Sequence, residues 1–142
     1  MRVMVIVKVS KESESGVLPD PKALKEMDDF KEELVKAGVL LAAEGLRASA
    51  TGKRVRFSGS KRTVLDGPFS ETKELIAGFM LLQVKSMDEA VEWLRRAPSQ
   101  EGEVEIRPLF EMEDFAGSDP SGELRKRELE LRKGAGTSPY RR

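Results

Sequence analysis

From Arg2 onward the chain alternates, with Val3, Val5, Val7 and Val9 on one side and Met4 and Ile6 on the other. Residues 2–9 therefore predict a strand that is apolar on both faces. A polar stretch, residues 10–19, follows. Asp20 and Pro21 then supply an N-cap and a proline at the first helical position, and Leu24, Met27, Phe30 and Leu34 recur at helical spacing until Gly38 ends the run. Residues 39–46 read as a second strand. Residues 54–57 and 62–66 read as a hairpin about Ser58, Gly59 and Ser60, with Gly59 able to take the positive φ of such a loop. A further strand covers residues 75–84. Ser86 with Glu89 forms a capping-box pattern for a second helix, whose inward positions are Met87, Ala90, Val91 and Leu94 and which Pro98 ends. Residues 104–110 close the series as a strand that Pro108 assigns to a sheet edge.

The order β-α-β, hairpin, β-α-β matches an α+β fold of the ferredoxin-like, split-βαβ kind with an antiparallel sheet and one extra short strand. Two helices cover only one face of such a sheet. Strand 75–84 nevertheless divides into two apolar sets, Ile76, Gly78, Met80, Leu82 and Val84 against Ala77, Phe79 and Leu81. The second set also needs cover, and pairing of two copies face to face into a homodimer supplies it.

Lysine plus arginine and aspartate plus glutamate number 25 each, so the chain as a whole offers no long-range field to draw in nucleic acid or an anionic membrane. Nucleic acid is not an expected partner. Lys53, Arg54, Arg56, Lys61 and Arg62 do make the hairpin basic, but without the interleaved aromatics of a stacking platform. No signal-peptide pattern opens the sequence, and the longest apolar run, residues 75–82, is far below membrane-span length. A soluble, cytoplasmic protein is expected. Cysteine and histidine are both absent. Their absence removes disulfides, thiolate nucleophiles, Ser-His-Asp triads and the usual zinc and haem ligands, and leaves any chemistry to Asp, Glu, Lys, Arg, Tyr or Ser. No carboxylate loop of calcium-binding spacing occurs, so neither metal nor cofactor is expected.

The composition changes near Gly117, giving a domain over residues 1–116 and a charged tail over 117–142. In the tail, Glu123 with Arg127 and Glu128 with Arg132 stand four residues apart, and Leu124 with Leu131 offers only a thin apolar stripe. A short solvated helix followed by a disordered end is expected.

The run Asp66, Gly67, Pro68, Phe69, Ser70, Glu71, Thr72, Lys73, Glu74 resembles the signature of the DGPF family, which belongs to the YCII-related proteins. Its flanks agree: residues 37–40, Glu44, Gly45 and Leu46, Gly78 and Phe79, Asp88, Glu89 and Ala90, and residues 105–108 all look like family positions. The resemblance extends over about residues 1–115. It implies a dimeric α+β barrel made of two ferredoxin-like sheets, and relatives of that fold include cofactor-free isomerases and oxygenases of small organic metabolites. Some members are joined to sigma-type transcription factors, which implies a regulatory role instead. A histidine recurs beside the aspartate in the family. Here Arg47 stands where it is expected, so a His-Asp acid/base pair cannot exist in this chain.

Two readings of the motif stay open. Pro68 fixes its own φ and keeps Gly67 out of the helical region, so Asp66 stands at a strand end followed by a turn of little freedom. In the plainer reading Asp66 accepts N–H bonds of that turn, with Ser70 and Thr72 as local caps. In the functional reading Asp66 is the catalytic residue and Arg47, Glu44, Lys73 and Phe69 bind ligand, in a cleft lidded by residues 10–19. Arg47 would hold an anionic or carbonyl oxygen while Asp66 moves a proton, which gives cofactor-free acid/base chemistry of isomerase or lyase type on a small polar metabolite. The alternative is a regulatory or interaction module with no catalysis.

Overall fold

A computed structural model describes residues 1–70 and 74–135. Four strands form one fully antiparallel sheet: β1 (Arg2–Lys8), β2 (Leu40–Gly45), β5 (Ile76–Gln83) and β6 (Val104–Pro108), in the order β2-β5-β1-β6. The hairpin strands β3 (Lys53–Ser58) and β4 (Lys61–Asp66) make a second, two-stranded sheet. Both hairpin strands thus stand outside the main sheet, where the sequence suggested a single extra strand. Among the described residues no barrel closes. β6 lies at the edge, where the missing N–H of Pro108 breaks no ladder.

Helices α2 (Pro21–Lys36) and α3 (Met87–Arg95) cover one face of the sheet. Each begins where its cap places it, with the Asp20 carboxylate accepting the Ala23 N–H at 2.7 Å and the Ser86 hydroxyl accepting the Glu89 N–H at 3.1 Å. Between sheet and helices lie Val3, Val5, Phe30, Leu34, Met80, Leu82, Val84 and Ala90, all buried. Leu24, which the helical spacing assigned to the same stripe, is 52% exposed, because it sits in the first turn of α2 and the helix first reaches the core at Met27 and Phe30.

The other face carries the cross-strand pairs Met4 with Leu81 and Ile6 with Phe79, all four only half-buried. The two-sided character of β5 is therefore real, with Gly78, Met80 and Leu82 turned toward the helices and Phe79 and Leu81 away from them. Among the described residues no helix is long and apolar enough to cross a membrane.

Past β6 the chain is tied back to its start. Arg2 donates through Nε and Nη2 to the two carboxylate oxygens of Glu111, each at 3.1 Å, and this fork holds the Glu111 carboxyl below the usual carboxylate range. A 3-10 segment, Met112–Ser118, leads to α4 (Glu123–Gly134). The Asp119 carboxylate caps α4 by accepting the N–H groups of Leu124 and Arg125 at 3.1 and 3.0 Å. α4 itself buries no residue. Removal of everything after Gly117 should accordingly leave the melting temperature nearly unchanged in calorimetry, because the Arg2 fork stays and no core side chain is lost. A drop of more than a few degrees would mean that the tail docks as an arm. The expected disordered end, residues 136–142, lies outside the described residues.

Candidate functional site

The polar stretch after β1 is not featureless. Ser10 and Ser13 cap each other reciprocally, the Ser10 hydroxyl accepting the Ser13 N–H and the Ser13 hydroxyl accepting the Ser10 N–H, and so start a one-turn helix, α1 (Lys11–Glu14). Its last residue reaches across to the segment after β2. There a 3-10 turn, Ser49–Thr51, presents Ser49, whose N–H donates to Glu14 Oε1 at 3.0 Å and whose hydroxyl donates to the same oxygen. The Ser49 hydroxyl in turn accepts the Phe69 N–H at 3.0 Å. One serine thus joins the polar stretch, the β2–β3 segment and the turn after β4.

That turn is seated tightly. The Gly67–Pro68 bond is cis, and the Gly67 N–H donates to the Gly52 carbonyl at 3.0 Å. A Cβ on Gly67 would run into the Ser49 carbonyl oxygen, so glycine is required here by close approach of two backbones. Phe69 lies half-buried beneath Arg54, whose guanidinium carbon sits 3.9 Å from the ring centre.

The carboxylate of Glu14 is the unusual group in this cluster. Oε1 accepts two bonds. Oε2 is shielded from solvent and, among the described residues, has no hydrogen-bond partner. A buried acceptor left in this condition is costly, and the cost is larger for a charged group.

Of the residues singled out from the sequence, Phe69 belongs to this cluster through its N–H bond to Ser49, and Asp66, Arg47 and Glu44 are placed around it. Asp66 shares the outer face of the hairpin with Val55, Phe57 and Val64, and its carboxylate pairs with Lys53 directly across the strands. Its side chain is 75% exposed. Among the described residues Asp66 is therefore held by a lysine and not by N–H groups of its own turn. Arg47, two residues before Ser49, is exposed, and among the described residues it has no ion-pair partner. Glu44 pairs with Phe79 in the sheet ladder, which puts it on the face opposite α2 and α3, and Gly78 allows the two strands to close there. Lys73 lies outside the described residues. Ser49 and Glu14 were not legible as site residues, since a contact between positions 35 apart leaves no local pattern; the only signal was Ser10 with Ser13, which marks the start of α1.

A cavity of about 610 Å³ opens elsewhere, between the end of β1, the end of α3 and the loop leading to β6. Val7, Leu94, Val104, Lys11, Arg95 and Glu101 are among the residues lining it, and none of Glu44, Arg47, Asp66 or Phe69 reaches it.

Comparison with known proteins bears on these positions. The profile of the YCII-related domain matches residues 1–113, that is, all six strands, α1 to α3 and the whole Ser49 cluster. The chain belongs to the YCII-related domain family. An uncharacterized protein of Rhizobium meliloti (strain 1021) is 33% identical over 93 residues, covering 63% of this chain and 75% of that protein. The matched region ends just past Glu111, so it takes in the Arg2 fork and not α4.

Proposed function

We propose that the chain works as a homodimer of ferredoxin-like, split-βαβ subunits arranged as a dimeric α+β barrel, and that it binds a small polar metabolite beside the turn at residues 66–69 without a cofactor. The strand order β2-β5-β1-β6, with a helix between β1 and β2 and another between β5 and β6, supports the subunit fold. The single observation that carries the binding reading is the unpartnered, inaccessible Oε2 of Glu14, held in place by Ser49 at the point where three loops meet. A buried polar group without a partner calls for one. In this reading Arg47 gives its free fork of donors to an oxygen of the ligand, and Asp66 and Phe69 form the outer wall. Proton transfer by Asp66 is the catalytic form of the proposal. A second reading, an interaction module with no catalysis, draws on the solvent-facing pair that Asp66 makes with Lys53.

A thermal-shift screen against small metabolites, repeated on two substitutions, separates them. A ligand present at a hundred times its dissociation constant should stabilise the protein by about 2.7 kcal/mol. Asp66→Asn removes an exposed ion pair and should cost less than about 1 kcal/mol of stability. If Asp66 and Arg47 serve the ligand, Asp66→Asn and Arg47→Ala keep the unliganded melting temperature and lose most of the ligand-induced rise. A folded Asp66→Asn protein that binds and turns over ligand as the parent does would remove Asp66 from the site and leave it as a brace for the hairpin.

A further inference from the structure

Glu14 also bears on the chemistry of a ligand bound beside it. Its carboxylate accepts only from the N–H and hydroxyl of Ser49, both neutral donors, and among the described residues no lysine or arginine pairs with it. The group therefore lacks two things at once, a donor for Oε2 and a compensating positive charge. A hydroxyl would supply the first and an anion neither. A protonated amine supplies both, at the length and strength of a charge-assisted bond.

From this we infer that the site recognises a small molecule through a protonated amine bound to Glu14 Oε2, an inference that rests on the binding reading above and adds the chemical class of the ligand. Arg47 then takes the acidic or carbonyl end of the same molecule. Entry does not require opening the core. α1 is a single turn that buries no residue, and the chain beyond it exposes Val17 and Leu18, so lifting α1 breaks the contacts of Glu14 and leaves the sheet intact. Ser49 stays behind, fixed by the Phe69 N–H, and marks the place to which the carboxylate returns.

Three probes with one two-carbon hydroxyl scaffold test the idea: ethanolamine, ethylene glycol and glycolate, which are cationic, neutral and anionic. Each is titrated into the full chain while the amide resonances of Glu14, Ser49 and Phe69 are followed by NMR. Ethanolamine should move all three resonances saturably and bind at least about tenfold more tightly than ethylene glycol, the ratio expected of a hydrogen bond to a charged group. In Glu14→Gln, which keeps the Ser49 bonds and loses the charge, that preference should vanish. If ethylene glycol or glycolate moves the three resonances as strongly as ethanolamine, the amine assignment is wrong and the binding site stands. If none of the probes moves them, both fall. An ethanolamine affinity unchanged in Glu14→Gln also overturns the assignment. Should Glu14→Gln prove misfolded, the ranking of the three probes on the parent protein decides alone.

Discussion

A Gly67→Ala protein will melt about 10 °C below the parent. The added methyl meets the backbone of Ser49, and unlike the end of a flexible side chain that obstacle cannot rotate away. Overpacking of this kind costs typically about 1 to 3 kcal/mol, and a backbone obstacle places the change at the top of that range. For a domain of this size about 3 kcal/mol corresponds to a shift on the order of 10 °C. Gly117→Ala is the control, since a Cβ there meets nothing within 4 Å. The same displacement pulls Ser49 from the Phe69 N–H, so ligand binding should fail together with stability. A Gly67→Ala protein as stable as the parent would show that the turn is not seated on Ser49, and the site built on that contact would have to be abandoned.

The second large effect concerns assembly. The parent should sediment as a dimer at micromolar concentration, and Leu81→Glu as a monomer. Leu81 lies next to Met4 on the face that no helix of the core covers, and Phe79 and Ile6 continue the same patch. The hairpin adds Val55, Phe57 and Val64, which are 52%, 69% and 61% exposed on one side of a two-stranded ribbon too small to hold itself together in isolation. In a two-fold interface each substitution appears twice, so Leu81→Glu buries two like charges and should weaken the dimer at least about a hundredfold. Sedimentation equilibrium of the parent decides the point: a monomer would remove the dimer from the proposal and leave both apolar surfaces to another partner.

The elements that could be read from the sequence are those whose signals are local. Alternating Val3, Val5 and Val7 define β1, Asp20 with Pro21 starts α2, Ser86 starts α3, and Gly59 turns the hairpin at φ 60°. In each case a few adjacent residues contain the physical reason. α1 escaped detection because a four-residue helix has no room for an apolar period, and its stability comes from Ser10, Ser13 and the distant Ser49. The site suffered from the same limitation. The restricted turn at residues 66–69 was visible in Gly67 and Pro68, but the direction in which it points Asp66 depends on Lys53 across the ribbon, and its seat depends on Ser49. Leu24 misled for a related reason: helical spacing reports a face but not how far along the helix that face finds a sheet to cover.

The position of β1 in the sheet also bears on how the chain is made. Among the described residues β1 pairs with β5 and β6, and β2 with β5, so two of the three strand pairings in the sheet depend on a strand that begins at Ile76. While the chain leaves the ribosome, α2 and the β3–β4 hairpin can form from neighbouring residues, but the valines of β1 have nothing to pair with. Long-range pairing of this kind is slow to nucleate and leaves apolar segments open to aggregation in the interval. Synthesis of β5 is thus the event that gives β1 and β2 a common partner, and a nascent chain arrested before Ile76 would present its oldest strand to whatever chaperone or neighbouring chain is near.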